Sequence, residues 1–142
     1  TFREQGRIVG YDVELAETDW GTVVQRRVRT EPVERGGWSI FHTFGSSLAY
    51  LNPAVSSLVK GPGASGWFGW WENPRAGELV QAWLDAPDAE RQRALANELN
   101  RLAQEEVATI PLGQFYARNA WRRSITGLVK GSMPYPWGVR PV

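Results

Sequence analysis

The sequence predicts an α/β domain. Three stretches carry that reading: an alternating run at 11–15, an aromatic and β-branched run at 38–44, and a long amphipathic stretch at 88–107. Tyr11, Val13 and Leu15 alternate with Asp12 and Glu14, the period-two pattern of a half-buried strand, so a strand is expected at 11–16. Asp19 can cap a helix in which Val23, Val24, Arg27 and Val28 recur at helical spacing, and that helix is expected to reach about Arg29. Glu31-Pro32 and Gly36-Gly37 mark a turn. Trp38-Ser39-Ile40-Phe41-His42-Thr43-Phe44 behind it suits a buried strand.

Residues 45–66 are rich in Ser, Gly and Pro and show little periodicity apart from a short helix candidate around 53–59. This predicts a long surface loop, and loops of that length tend to be functional or to pack on something else. Asn73-Pro74 then supplies a cap and a first-turn proline for a helix at 74–85, with Leu79, Val80, Trp83 and Leu84 as its apolar stripe. Asp88 caps the longest helix, expected over 88–107. There Leu95, Leu99, Leu102, Ala103 and Val107 share one face, while Glu90, Arg91, Arg93, Asn97 and Arg101 stay outside. Thr109-Ile110-Pro111-Leu112-Gly113-Gln114-Phe115-Tyr116 returns to strand character, with Pro111 confining it to a sheet edge or strand start. Beyond it, only 125–129 reads as a further strand. So aromatic and irregular a tail is expected to pack against sequence outside these residues.

A chain of 142 residues with 42% apolar content can bury one core. Sixteen Lys and Arg against fifteen Asp and Glu leave a net charge of +1, so no bulk field favours nucleic acid or an anionic membrane, and no nucleic-acid partner is expected. No apolar run approaches the length that spans a bilayer. The opening Thr1-Phe2-Arg3-Glu4, without a leader or an initiator Met, reads as an excised fragment. Zero cysteines exclude disulfides, thiolate catalysis and Cys-based zinc, but leave the compartment open.

Reactive constellations are hard to assemble from what remains. The single histidine, His42, lies inside an apolar run, which favours a structural role, and no Gly-x-Ser-x-Gly elbow surrounds a serine. Metal binding would fall to carboxylates alone, and no loop resembles an EF-hand. Glu105 and Glu106 are adjacent on a helix, point in different directions and read as a solvated face. Lys60-Gly61-Pro62-Gly63-Ala64-Ser65-Gly66 lacks the Gly-Lys-Ser/Thr ending of a phosphate loop. The expectation is therefore no enzyme, no catalytic residue, no metal and no cofactor. Eight tryptophans stand out instead. Core filling and contact with another domain account for most of them, and ligand contact for the rest. In Trp67-Phe68-Gly69-Trp70-Trp71 the large rings cannot all face one core, so at least one should meet a ligand or a second domain.

Taken in order, Val13-Glu14-Leu15, Asp19-Trp20-Gly21-Thr22-Val23-Val24-Gln25-Arg26-Arg27 and Gly37-Trp38-Ser39-Ile40-Phe41-His42-Thr43 are followed by Trp67-Phe68-Gly69-Trp70, Asn73-Pro74, the stretch 94–107 and Ile110-Pro111-Leu112-Gly113-Gln114. This pattern, over nearly the whole chain, resembles family 5 extracellular solute-binding proteins, the dipeptide, oligopeptide and nickel type. The resemblance implies a periplasmic binding protein type II-like fold, with a mixed β-sheet flanked by helices. Residues 1–115 would be most of its second, C-terminal lobe, and 116–142 a crossover or tail packed on the missing first lobe. It implies a periplasmic or extracellular protein that closes on a small-molecule or peptide-like ligand and delivers it to an ABC permease in the membrane. His42, Thr43, Phe44 and Gly45 would contact that ligand, with Trp67, Phe68 and Trp70 as walls. Peptide-binding members carry an acidic residue just after the strand matching 39–43. Here Phe44-Gly45-Ser46-Ser47 has none, which favours a less charged or differently charged ligand. The alternative from another class is a stand-alone, aromatic-lined module for carbohydrate or another small molecule.

Overall fold

Three of the α-helices begin behind a short polar side chain that caps them, Asp19, Asn73 and Asp88. The structure, a computed structural model, describes residues 2–116, 118–131 and 135–142. It divides into two units, Thr1–Thr43 and Phe44–Val142, each taken here by itself. The expected tail at 116–142 includes residues 117 and 132–134, which lie outside the described residues.

In the first unit, helices α1 (Phe2–Ile8) and α2 (Trp20–Arg26) are joined by a turn at 9–10 and chain without regular secondary structure. Asp19 caps α2 as its position suggests, accepting from the Thr22 amide at 3.1 Å and the Thr22 hydroxyl at 2.6 Å. Those two bonds hold the Asp19 carboxyl below its ordinary value, because both favour the ionised form. The helix stops at Arg26, short of Arg29. The Arg27 amide closes the last turn on Val23, and the Arg27 carbonyl accepts from the Trp38 indole N–H at 3.1 Å. The Arg26 guanidinium reaches the same corner, donating to the Gly37 carbonyl from Nη2 at 2.7 Å and from Nε at 3.0 Å.

Neither expected strand of this unit forms. Residues 11–16 and 38–44 are irregular, although their side-chain patterns suit a sheet. A strand exists only through a ladder with a neighbour, and its amides find other partners where no ladder is available. The Tyr11 amide, for instance, donates to the Gly6 carbonyl of α1 at 2.9 Å. Helix α1 has no counterpart in the sequence reading, because it buries no side chain and so carries no apolar stripe.

The second unit holds the core. Helices α3 (Pro74–Leu84) and α4 (Ala89–Glu105) match the expected spans closely. Asn73 and Asp88 cap them by accepting from the amides of Ala76 and Arg91. Ala76 and Leu79 of α3 bury against Leu95 and Leu99 of α4, with Val59, Trp71, Val80, Trp83 and Leu102 packed around them. Outside that seam, Arg75 joins the helices by donating to Glu98 at 2.8 Å. Both side chains are exposed, so this ion pair adds little stability.

Helix α4 ends in a Schellman arrangement. The Ala108 amide bonds back to Ala103 and the Val107 amide to Gln104, which places Val107 at the position normally given to glycine, with φ of 54°. A β-branched residue there is strained. Val107 is also 61% exposed, so little packing is lost when its side chain is removed. Val107→Gly is therefore expected to stabilise this unit by roughly 0.5–1 kcal/mol. Urea unfolding checks the sign, and a less stable variant would contradict the strain argument.

The loop expected at 45–66 is present and contains short 3-10 turns at Ser47–Tyr50, Ser57–Val59 and Gly63–Ser65, the middle one standing where a short helix was expected. The strand expected at 109–116 is irregular. Pro111 offers no donor, and no neighbouring strand is paired with this stretch among the described residues. Of the candidate at 125–129, Ile125–Thr126 forms strand β1, antiparallel to β2 (Arg140–Pro141), and Val129 bridges Tyr135. The described chain thus mixes helices with a two-stranded sheet, and the larger mixed sheet expected between the helices is not formed among the described residues.

Candidate functional site

The most deliberately built loop of the second unit spans residues 61–73 and carries the aromatic cluster at its tip. Two backbone bonds pin its limbs together, from the Asn73 amide to the Gly61 carbonyl and from the Gly63 amide to the Trp71 carbonyl, each at 3.0 Å. Pro62 and Glu72 pair between them in an antiparallel bridge. At the tip, the Trp70 amide closes a turn on the Trp67 carbonyl at 2.9 Å, with Gly69 in the left-handed region at φ 105°. Trp70 follows with φ of 50°, a conformation that costs a bulky side chain about 1–3 kcal/mol and persists only where the surroundings impose it.

The limb that returns from the tip is tied to the end of α4. The Glu106 carboxylate accepts from the Trp71 indole N–H at 2.9 Å through Oε2 and from the Asn73 side-chain amide at 2.8 Å through Oε1. These bonds, the Asn73 bond first, hold the Glu106 carboxyl below its ordinary value. Asn73 meanwhile turns its own oxygen towards the Ala76 amide at the start of α3. One side chain therefore joins the loop, the first turn of α3 and the last turn of α4. Adjacency to Glu105 led the sequence reading to place both glutamates on a solvated face. Both are exposed, Glu105 paired with Arg101, but Glu106 also accepts from Trp71 and Asn73, which stand 35 and 33 residues away. No local pattern in the sequence marks such a contact.

The expected site residues fall into two groups. Trp67 and Phe68 meet ring to ring at 5.1 Å, and both, like Trp70, are half-buried, so each keeps accessible ring surface. The space beneath them, lined by Leu58, Pro62, Trp67, Phe68 and Trp71, is only about 20 Å³, room for about one water. Ligand contact at this loop would use the outer ring faces, not the interior. His42, Thr43, Phe44 and Gly45 lie along an exposed run that crosses the boundary between the two units after Thr43. His42 meets the edge of the Phe2 ring at 5.1 Å, Phe44 meets Phe115 at 6.0 Å, and Gly45 lies against Tyr50. Among the described residues no three His, Asp or Glu side chains gather as a metal would require, and none of the helices is long and apolar enough to cross a membrane. What the loop offers chemically is flat apolar surface for stacking and enclosure.

Much other apolar surface is open. Leu112, Phe115, Tyr116, Trp121 and Trp137 are all exposed, Tyr116 to 93% and Trp137 to 75%.

No protein-family model matches the chain. Over 134 residues, 94% of its length, it is 34% identical to the probable peptide ABC transporter periplasmic-binding protein y4tO of Sinorhizobium fredii. That identity over that length marks common descent and bears out the resemblance carried by the ordered motifs. The chain spans about a quarter of the relative's length, 25%.

Proposed function

We propose, starting from this kinship with a periplasmic-binding protein, that the chain is part of the substrate-binding component of an ABC importer, the family 5 solute-binding type. In this reading residues 1–115 belong to its second, C-terminal lobe, and 116–142 run back over the first. The single observation that carries the proposal is the 34% identity sustained over 94% of the chain. The exposure of Phe115, Tyr116, Trp121 and Trp137 supports it, since large rings left open to solvent offer surface for contact. The protein works in the periplasm and breaks no bond. Ligand binding shifts an equilibrium between open and closed lobes, and the membrane permease responds to the closed form.

The residues assigned to ligand contact are His42, Thr43, Phe44 and Gly45, with Trp67, Phe68 and Trp70 as aromatic walls. The ligand is a small molecule or peptide-like compound, less charged or differently charged than a peptide with a free amino terminus. Phe44-Gly45-Ser46-Ser47 offers no carboxylate to an amino terminus, and a buried ammonium without one would be desolvated and unpaired.

Mass spectrometry of small molecules released from the full-length protein tests the reading. A discrete compound is expected to co-purify, and its occupancy to fall at least tenfold in Trp70→Ala, a loss within the range that removal of an aromatic anchor produces. An intact compound retained equally by the variant would remove the loop from the site. A compound converted to product on incubation would overturn the proposal that the protein only binds.

A further inference from the structure

We propose that Glu106 is the positioning residue of the aromatic loop, a carboxylate latch that locks residues 61–73 onto the end of α4 and thereby sets Trp67, Phe68 and Trp70 for ligand contact. The role in ligand contact rests on the function proposed above, while the latch itself stands on geometry. Two N–H donors, from Trp71 and Asn73, converge on the two oxygens of one carboxylate, one bond to each. Trp71 is the immediate neighbour of Trp70, whose left-handed backbone needs its surroundings held fixed. Asn73 closes the base of the loop through its own amide and caps α3 through its side-chain oxygen. Releasing Glu106 therefore removes a tether at the base of the loop and another beside its strained tip, leaving the backbone bonds between its limbs.

The latch is sensitive to charge. A carboxylate accepts at both oxygens, whereas a protonated carboxyl or a glutamine amide turns a donor towards one of the two N–H groups. The charged groups around it do not offer a substitute acceptor. Glu105 is paired with Arg101, Glu78 and Glu98 are paired with Arg75, and Glu72 lies against Gly63 on the opposite limb. Since the folded Glu106 carboxyl sits below its ordinary value of 4.5, the latch is fully present above that value and is lost as pH falls through the lowered one.

Hydrogen exchange in the full-length protein tests this. In Glu106→Gln the amides of Gly63, Trp70 and Asn73 are expected to exchange roughly two- to tenfold faster, with α3 and α4 core amides unchanged. After correction for intrinsic chemistry, exchange in the wild-type loop should accelerate as pH drops below the ordinary carboxylate range, and the variant should show no such step. Trp71→Phe keeps an aromatic side chain but removes the indole donor, and adding Glu106→Gln to it should give less than the sum of the two effects. Unchanged loop exchange, an equal rise in the helices, or the same pH response in both proteins would each overturn the latch. If the loop loosens as expected but ligand occupancy is unaffected, the latch stands and the assignment of the rings to ligand contact falls.

Discussion

Leu79→Ala is expected to remove about 3 kcal/mol from the second unit, within the range of roughly 2–5 kcal/mol for a buried leucine. Leu79 is 1% exposed and sits where α3 meets Leu95 and Leu99 of α4, so nothing nearby can collapse into the space without parting the helices. The fully buried apolar group here is small, and a small core loses a large share of its net stability with one side chain. In urea the midpoint should fall by roughly 1.5 M. Leu84 is on the same helix but 52% exposed, and Leu84→Ala should stay within about 0.5 kcal/mol. Equal effects from the two substitutions would mean that α3 does not face α4 as described.

Gly61→Ala should be nearly as damaging, for a different reason. Gly61 is buried with φ of 63°, and a Cβ there would stand 2.7 Å from the Asn73 carbonyl oxygen and 2.9 Å from the Ala76 side chain. Neither neighbour can give way, because Asn73 both closes the loop and caps α3. The left-handed penalty of about 1–2 kcal/mol therefore adds to an overpacking cost of similar size. Gly77 is the natural control. It lies within α3 with nothing near its added Cβ, so Gly77→Ala should stabilise the helix by about 0.5–1 kcal/mol. Opposite signs at these two glycines are the expected result in thermal or urea unfolding. A harmless Gly61→Ala would contradict the tight base of the aromatic loop.

Helices α3 and α4 are legible in the sequence because their causes are local. Asn73-Pro74 and Asp88 mark the starts, and leucines at helical spacing mark the buried faces. Strands are not local objects. The runs at 11–16 and 38–44 carry the alternation and β-branched content that a sheet selects, but whether they enter a sheet depends on a neighbour that no periodicity reveals. Helix α1 lacked a signal for the converse reason, having backbone helicity without a buried face. At the candidate site, the ring cluster announces itself by composition, since Trp67, Phe68, Trp70 and Trp71 cannot share one core. Glu106 was invisible because its meaning lies in donors that arrive from a loop far back in the chain.

The central claim is that this chain is one portion of a two-lobed receptor, and that its ligand is held only when both lobes contribute. Calorimetric titration with the compound released from the purified full-length protein tests it most directly. The full-length protein should bind that compound with a single saturable isotherm, and the 142-residue chain alone should bind it at least a hundredfold more weakly, because a ligand enclosed on one side keeps only part of its contacts. Equal affinity in the two samples would contradict the account and identify the chain as a complete binding module in its own right.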